Sequence, residues 1–593
     1  MLKKFFTSLL GSLAAIWISI GILFLLGIFT VSVVIASAFK STSMDAVNDN
    51  SILYINLATT ISEENPSVDF TSLVYEQNLE NVTLLRPLLS SIALAADDPN
   101  IKGIFIDAGM VSGGSSAIYE VAQALTDFRN KSGKWVIAYG DEINQGSYII
   151  SSGASELVLN PVGMVDVHGL SSNITFYTGL FEKLGIQVQV VKVGTFKSAV
   201  EPYILKDISP ANRQQIEAYM GAIWEKFVSH MSHSRGLSEK EINAYADSLI
   251  MTFSPERLVE TGLVDKLMYR HEVEDHLKSL VGLSNDKKLP LVSQERYYES
   301  KRNELSVSSK NGIAVLYAVG EISQSGNSGI ASDRLVPIIL DLAKDDQIKG
   351  MVLRVNSPGG SAFASEQIWE ALQTFKKTGK TLYVSMGNYA ASGGYYISCG
   401  ADKIFTSPVT LTGSIGIFGL LPNIKGLLTN HLGITFGTVS TNQNGDFPSL
   451  TEPMTPFQAA SMQNMINRGY ETFVGRVAEG RGMSVDSVKQ IAEGRVWAGV
   501  TAVDLGLADE IGDLEATIDA LVKELGLDDY KIQYYPEAKT SLWDIFRSLK
   551  QEIRTAAMKG VMGDNAYEFY EKTRRLKEMD AVQCRMEEVK IEF

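Results

Sequence analysis

The sequence predicts an α/β protein: two tandem repeats, each a largely parallel sheet built from βα units, following a single N-terminal transmembrane helix. Three observations carry this. Residues 5–39 contain no charged side chain, a string that begins at Asp97 recurs from Asp345, and short Val/Ile/Leu/Tyr runs alternate with helical patterns in both copies. Alternation of that kind marks strands joined by helical crossovers.

The first element is the apolar run from Phe5 to Phe39, flanked by Lys3 and Lys4 before it and by Lys40, Asp45 and Asp49 after it. A bilayer-spanning helix needs about 20 apolar residues, so the run is long enough. The lysines favour a cytoplasmic N-terminus at residues 1–4, with the rest of the chain on the far side. Ala36-Ser37-Ala38 fits a signal-peptide cleavage site. A signal peptide's apolar core is only about 7–15 residues, however, so a retained anchor over 5–39 is the expectation.

The duplication comes next. Ile101-Lys102-Gly103 returns as Ile348-Lys349-Gly350 and Ser151-Ser152-Gly153-Ala154 as Ser398-Cys399-Gly400-Ala401, both at an offset of 247. Each Ile-Lys-Gly precedes an apolar run and then a Gly-Gly turn, Gly113-Gly114 or Gly359-Gly360. Ser209-Pro210 and Thr455-Pro456 each open a long helical pattern with a hydroxyl N-cap and proline at the first helical position. In the first of these, Ile216, Met220, Ile223 and Phe227 make one apolar stripe. The repeats are assigned to 50–283 and 312–545. The stretch 284–311 has neither period and reads as a linker, and 546–593 reads as a charged tail, helical in pattern.

Composition narrows the function. Fifty-three Lys+Arg against 68 Asp+Glu give a formal charge of −15, and no basic stripe interrupts it, so nucleic acid is not an expected partner. Two cysteines, Cys399 and Cys584, exclude a disulfide framework, and the six histidines form no H-E-x-x-H. No metal and no cofactor is expected. Cys399 reads as a small core residue.

The informative positions are polar residues present in one copy only. Ser392, in Ala391-Ser392-Gly393-Gly394, corresponds at the 247 offset to Gln145. Lys197, in Gly194-Thr195-Phe196-Lys197-Ser198-Ala199-Val200, faces a second-copy stretch, Val439 to Asp446, with no lysine. A serine hydroxyl is a weak nucleophile and needs a base. A lysine serves if burial keeps it uncharged, and Phe196, Ala199 and Val200 supply apolar neighbours. Backbone N–H groups at Gly359, Gly360 and Gly393 could receive an oxyanion. Taken singly, each feature has a plainer reading. A serine before Gly-Gly is commonly a turn residue, and a lysine among apolar residues commonly snorkels to solvent. Ser414, in Thr412-Gly413-Ser414, is either turn chemistry or a partner of the lysine amine. Together they describe one hydrolytic site assembled between the two copies.

The strings VLRVNSPGGS, AASGGYYISCGADKIFTSPVTLTGSIGIFG, VGTFKSAVEP and GRVWAG resemble those of the long, tandem-repeat form of signal peptide peptidase A. The resemblance spans the anchor and nearly the whole remaining body. It implies a membrane-bound Ser/Lys serine endopeptidase made of two Clp/crotonase-like ββα-repeat domains, with a backbone oxyanion hole. Position by position, the family's nucleophile falls on Ser392, its general base on Lys197, and a serine near that lysine on Ser414. Homotetrameric assembly is implied too. So is a location in the bacterial inner membrane with the catalytic body on the periplasmic side. The implied role is degradation of hydrophobic remnant signal peptides. The tail from about Gly560 matches no feature of that family. Two other readings stand beside it: a non-catalytic anchored scaffold, which leaves the one-copy-only Ser and Lys without a role, and a crotonase-like acyl-CoA enzyme, which lacks carboxylates beside the Gly-Gly turns.

Overall fold

Runs of Ile, Val, Leu and Phe that are apolar at every position, rather than at alternate ones, belong to strands covered on both faces, and that is where they fall. A computed structural model of the chain describes residues 21, 47–64, 82–305, 309–326, 329–536, 558, 563, 567 and 582–587. Ile101–Asp107 lies parallel between Ser51–Asn56 and Trp135–Ile143, and Glu156–Val165, Lys266–Leu267 and Leu291–Ser293 complete a six-stranded sheet. The second repeat repeats the plan. Ile348–Ser357 lies parallel between Gly312–Val319 and Thr381–Ala391, with Leu411–Gly413 and Lys531–Tyr535 continuing outward. Val496–Ala498 closes one edge antiparallel to Leu411–Gly413.

Ser209 Oγ accepts from Asn212 N (3.1 Å), and Pro210–Arg235 follows it as a helix. Thr455 caps Pro456–Arg481 in the same way through Gln458 N (3.3 Å). Ile216, Ile223 and Phe227 of the stripe expected on the first of these helices are buried. Met220 is half-buried, and Tyr219, Asn212 and Gln215 are buried on the same helix. Within the stretch expected as a linker, Leu291–Ser293 is an edge strand of the first sheet and Gln294–Leu305 a helix. There Tyr297, fully buried, bonds Asp98 (3.1 Å).

A third, mixed sheet joins the repeats. Gln187–Lys192 of the first repeat leaves its own sheet and pairs antiparallel with Phe418–Asn423 of the second. Its Val191 is buried in the second repeat's core. The same sheet contains Gly359–Ser361 and, between that strand and Phe418–Asn423, the strand Val582–Arg585. The helical pattern expected over 546–593 therefore fails at 582–585. Two open strand edges there offer the backbone a full set of hydrogen-bond partners, and pairing overrides local preference. Residues Asn50–Phe593 form one compact unit.

Of the expected anchor, 5–39, all but Gly21 lies outside the described residues. Among the described residues no helix is long and apolar enough to cross a membrane.

Candidate active site

The exchanged strand explains how a lysine of the first repeat reaches a serine of the second. Past Lys192 the chain turns through Val193-Gly194-Thr195-Phe196, and this turn is fastened to the second repeat. Thr195 N and Oγ1 both donate to the Glu493 carboxylate (3.1 and 2.7 Å), and Phe196 N donates to the Glu493 carbonyl (3.0 Å). Lys197 then points inward and is 1% exposed. Its Nζ lies 2.7 Å from Ser392 Oγ, 3.0 Å from Ser414 Oγ and 3.1 Å from the Ser414 carbonyl. Burial lowers its pKa to about 7, with only a small opposing effect from Cys584.

The strand Thr381–Ala391 delivers Ser392, which caps the short helix Gly393–Ser398. Its backbone is strained: φ is +55° and ψ −111°, a conformation rare for a residue with a Cβ. Such strain persists only where surrounding bonds over-determine it. Ser392 N donates to the Gly413 carbonyl (2.7 Å), and its carbonyl accepts from Tyr396 N (2.8 Å). Ser414, at φ +51°, is held by its N–H on the Arg495 carbonyl (2.7 Å). Both hydroxyls are thus aimed at one amine by their own backbones.

The three glycines expected near an oxyanion converge on the same place with different tasks. Gly359 has φ +100°, and a Cβ there would lie 2.7 Å from Gly393 N and 2.2 Å from the Cys584 carbonyl oxygen. Its own N–H donates to Ser357 Oγ (3.1 Å), so Gly359 gives shape rather than a donor. Met586 N donates to the Pro358 carbonyl (2.8 Å), and Gly360 is in register with Cys584. In an antiparallel ladder this makes Gly360 and Cys584 the next hydrogen-bonded pair. The N–H of Gly360 therefore faces the Cys584 carbonyl, and a Cβ on Gly393 would sit 3.1 Å from that oxygen.

The first copy's counterpart of this site is filled. Gln145, at the position of Ser392, accepts from His168 N (2.8 Å) and Gly169 N (2.9 Å) and donates to the Gly169 carbonyl (2.8 Å). At the 247 offset, 168–169 corresponds to Ile415 and Gly416, the stretch against which Lys197 packs. A neutral amide thus stands at the nucleophile's position in the first copy.

Sequence reasoning missed three features of this region. One is Cys584, whose thiol is within hydrogen-bonding reach of Ser365 and Ser392 and is pushed by burial up to about 11. The second is a polar pocket beyond Lys197. There the Glu587 carboxylate accepts from Ser198 Oγ (2.9 Å) and Asn212 Nδ2 (3.1 Å), and burial pushes its pKa up to about 7. The third is a buried ion cluster behind the Gly-Gly turn. Arg354 donates through Nε to Glu63 (3.0 Å) and through Nη2 to Glu120 (3.1 Å), and it also donates to Ser385 Oγ (2.9 Å). Both carboxylates come from the first repeat, so this cluster is a second tie between the copies. No local signal marks it, since Glu63 and Glu120 lie 291 and 234 residues from their partner.

Comparison with known proteins agrees with the duplicated plan. The model of peptidase family S49 matches twice, over residues 128–284 and 374–528, and the Clp protease model matches 315–409. The chain is 34% identical over 482 residues to Protease 4 of Salmonella typhi, covering 79% of this chain and 76% of that protein. It is 33% identical to Protease 4 of Haemophilus influenzae (76% of each chain). To the chloroplastic serine protease SPPA of Arabidopsis thaliana it is 30% identical, covering 75% of this chain and 66% of that one. Two copies of one family model, and relatives aligned across most of both chains, lead to a single conclusion: this protein belongs to peptidase family S49.

Proposed function

We propose that the chain is a serine endopeptidase that uses a Ser392/Lys197 dyad, with Gly360 and Gly393 donating backbone N–H groups to the oxyanion. The observation that carries the reading is the 2.7 Å contact between a fully buried amine and a strained serine hydroxyl. With the lysine pKa lowered to about 7, a large fraction of the amine is neutral at neutral pH and can take the Ser392 proton. The oxygen then attacks a peptide carbonyl, and the developing negative charge is met by fixed N–H donors that need no reorganisation. The lysine, now an ammonium, returns its proton to the leaving amine. Water hydrolyses the ester by the same route in reverse. Ser414 acts as a positioning residue, holding the amine with its hydroxyl and its carbonyl.

Substrates would enter as extended strands between Gly359–Ser361 and Phe418–Asn423, and Phe418 and Leu420 make the second edge apolar. Hydrophobic peptides such as cleaved signal peptides fit that groove. The apolar run 5–39 supports anchoring in a bacterial inner membrane with the catalytic body outside, and the resemblance to signal peptide peptidase A supports a homotetramer. The test is hydrolysis of an apolar fluorogenic peptide. Ser392→Ala and Lys197→Ala should each fall to background without loss of the folded state, whereas wild-type turnover in either variant excludes the dyad.

A further inference from the structure

Gln215 lies on the helix Pro210–Arg235, is 1% exposed, and bonds both repeats. Its Oε1 accepts from Val496 N (3.1 Å). Its Nε2 lies 3.1 Å from the Phe196 carbonyl oxygen, 3.1 Å from Ser198 Oγ and 2.8 Å from Asn212 Oδ1, and these oxygens share its hydrogens. Phe196 and Ser198 are the two neighbours of Lys197. The Phe196 carbonyl belongs to the peptide unit that ends at the Lys197 nitrogen, and the Phe196 N–H is already fixed on the Glu493 carbonyl (3.0 Å). With Gln215 in place, the peptides on both sides of Phe196 are held, and the direction in which the lysine leaves the backbone is set. Val496 stands opposite Gly413, whose carbonyl holds Ser392 N (2.7 Å), and follows Arg495, whose carbonyl holds Ser414 N (2.7 Å). One amide thus joins the loop of the base to the strands that orient both hydroxyls.

We propose that Gln215 is a positioning residue for the reaction, holding the Lys197 amine on Ser392 by clamping the residues that flank the lysine to the strand that supports its partners. The proposal rests on the Ser392/Lys197 reading of the site. The place demands a two-sided tip. The Val496 N–H only donates and the Phe196 carbonyl only accepts, so the side chain between them must offer an acceptor and a donor together. An ionised carboxylate fails the carbonyl, and an apolar side chain leaves both backbone groups unpaired. Counted from the caps Ser209 and Thr455, Gln215 corresponds to Ser461, which is exposed. The copy without a lysine loop therefore carries no buried amide at this place, the same one-copy-only pattern that marks Ser392 and Lys197.

The experiment measures kcat and KM on an apolar fluorogenic peptide across pH, with the full chain in detergent, for wild type, Gln215→Met, Gln215→Asn and Ile223→Ala. Gln215→Met should lose about tenfold or more in kcat, with KM little changed, since the bonds of Gln215 go to neither strand that edges the groove. The acid limb of its kcat profile should move up, because a loosened loop lets water reach the ammonium form. Cys584, Glu201, Glu493, Arg495 and Glu587, the charged or titratable groups about the loop, are the same in both proteins. Gln215→Asn keeps the amide on a stem one methylene shorter, too short to span both repeats. It should lose kcat likewise, and it carries the test if the methionine variant does not fold. Ile223, fully buried further along the same helix, is the control: Ile223→Ala should lose thermal stability yet keep both kcat and the acid limb. Wild-type kcat in a folded Gln215 variant, or an equal loss of kcat in Ile223→Ala, overturns the positioning role while leaving the dyad standing. Hydrolysis that persists in Lys197→Ala overturns the dyad itself.

Discussion

Gly494 offers a stringent test of how the lysine is positioned, because it belongs to the second repeat and takes no part in the proposed chemistry. It has φ +77°, and a Cβ there would lie 2.7 Å from Lys197 Cβ and 2.8 Å from both its Cα and its N. Ordinary contact begins some 0.6 Å or more further out, and two of the three atoms are backbone, so the lysine loop must move. It cannot simply swing away, since Thr195 and Phe196 are tied to the neighbouring Glu493. Left-handed backbone costs an alanine about 1–2 kcal/mol. Displacing a catalytic group by about 1 Å costs about 100-fold in rate. Gly494→Ala should therefore lower kcat by about that factor with KM little changed, because the strands that grip the peptide are untouched. Gly482→Ala is the matched control: φ is +62° at a helix C-cap, with nothing within 4 Å of the added methyl. It should show a similar loss in thermal stability and keep wild-type turnover. Equal kcat for the two variants would refute the claim that this backbone contact sets the amine's position.

Other outcomes follow from the same geometry. Ser414→Ala removes one partner of the amine, and a buried hydrogen bond lost this way costs about 1–3 kcal/mol; kcat should fall roughly 5- to 150-fold by that figure. The acid limb of its pH profile should move down, since an ammonium gains more from that acceptor than an amine does. Arg354→Met leaves Glu63 and Glu120 buried without their cation, and breaking such a pair costs about 3–5 kcal/mol, readable as a large drop in denaturant midpoint. Lys197→Met should abolish turnover and raise stability at neutral pH. The folded state holds this amine's pKa near 7 against an ordinary 10.5, so the unfolded chain binds the extra proton between those values. Stability of the wild type therefore climbs with pH through that window, and the methionine variant should lose the slope.

Much of this was legible in the residues because the chain repeats itself. At an offset of 247, packing residues cancel and what remains is a serine in one copy and a lysine in the other. The N-caps Ser209 and Thr455 were equally readable, since a hydroxyl before proline satisfies helix donors by purely local chemistry. What could not be read depends on distant partners. Cys584 and Glu587 stand in a short segment whose pairing is decided by two open strand edges more than 150 residues away in sequence. Leu291–Ser293 has too few residues to show a period, and becomes a strand because Ile52–Tyr54 offers it an edge. Arg354, flanked by Leu353 and Val355, reads as an exception within an apolar strand until its two carboxylates are seen to arrive from the other repeat.

The central claim is that an amine from one repeat activates an alcohol from the other. The most direct measurement is the rate at which a serine-directed acylating probe labels Ser392 as a function of pH, followed by intact mass. The account predicts a rate that rises about tenfold per pH unit below 7, as expected for one titrating base, levels off above it, and disappears in Lys197→Met. A rate independent of pH across that range, or unchanged labelling in Lys197→Met, would contradict it.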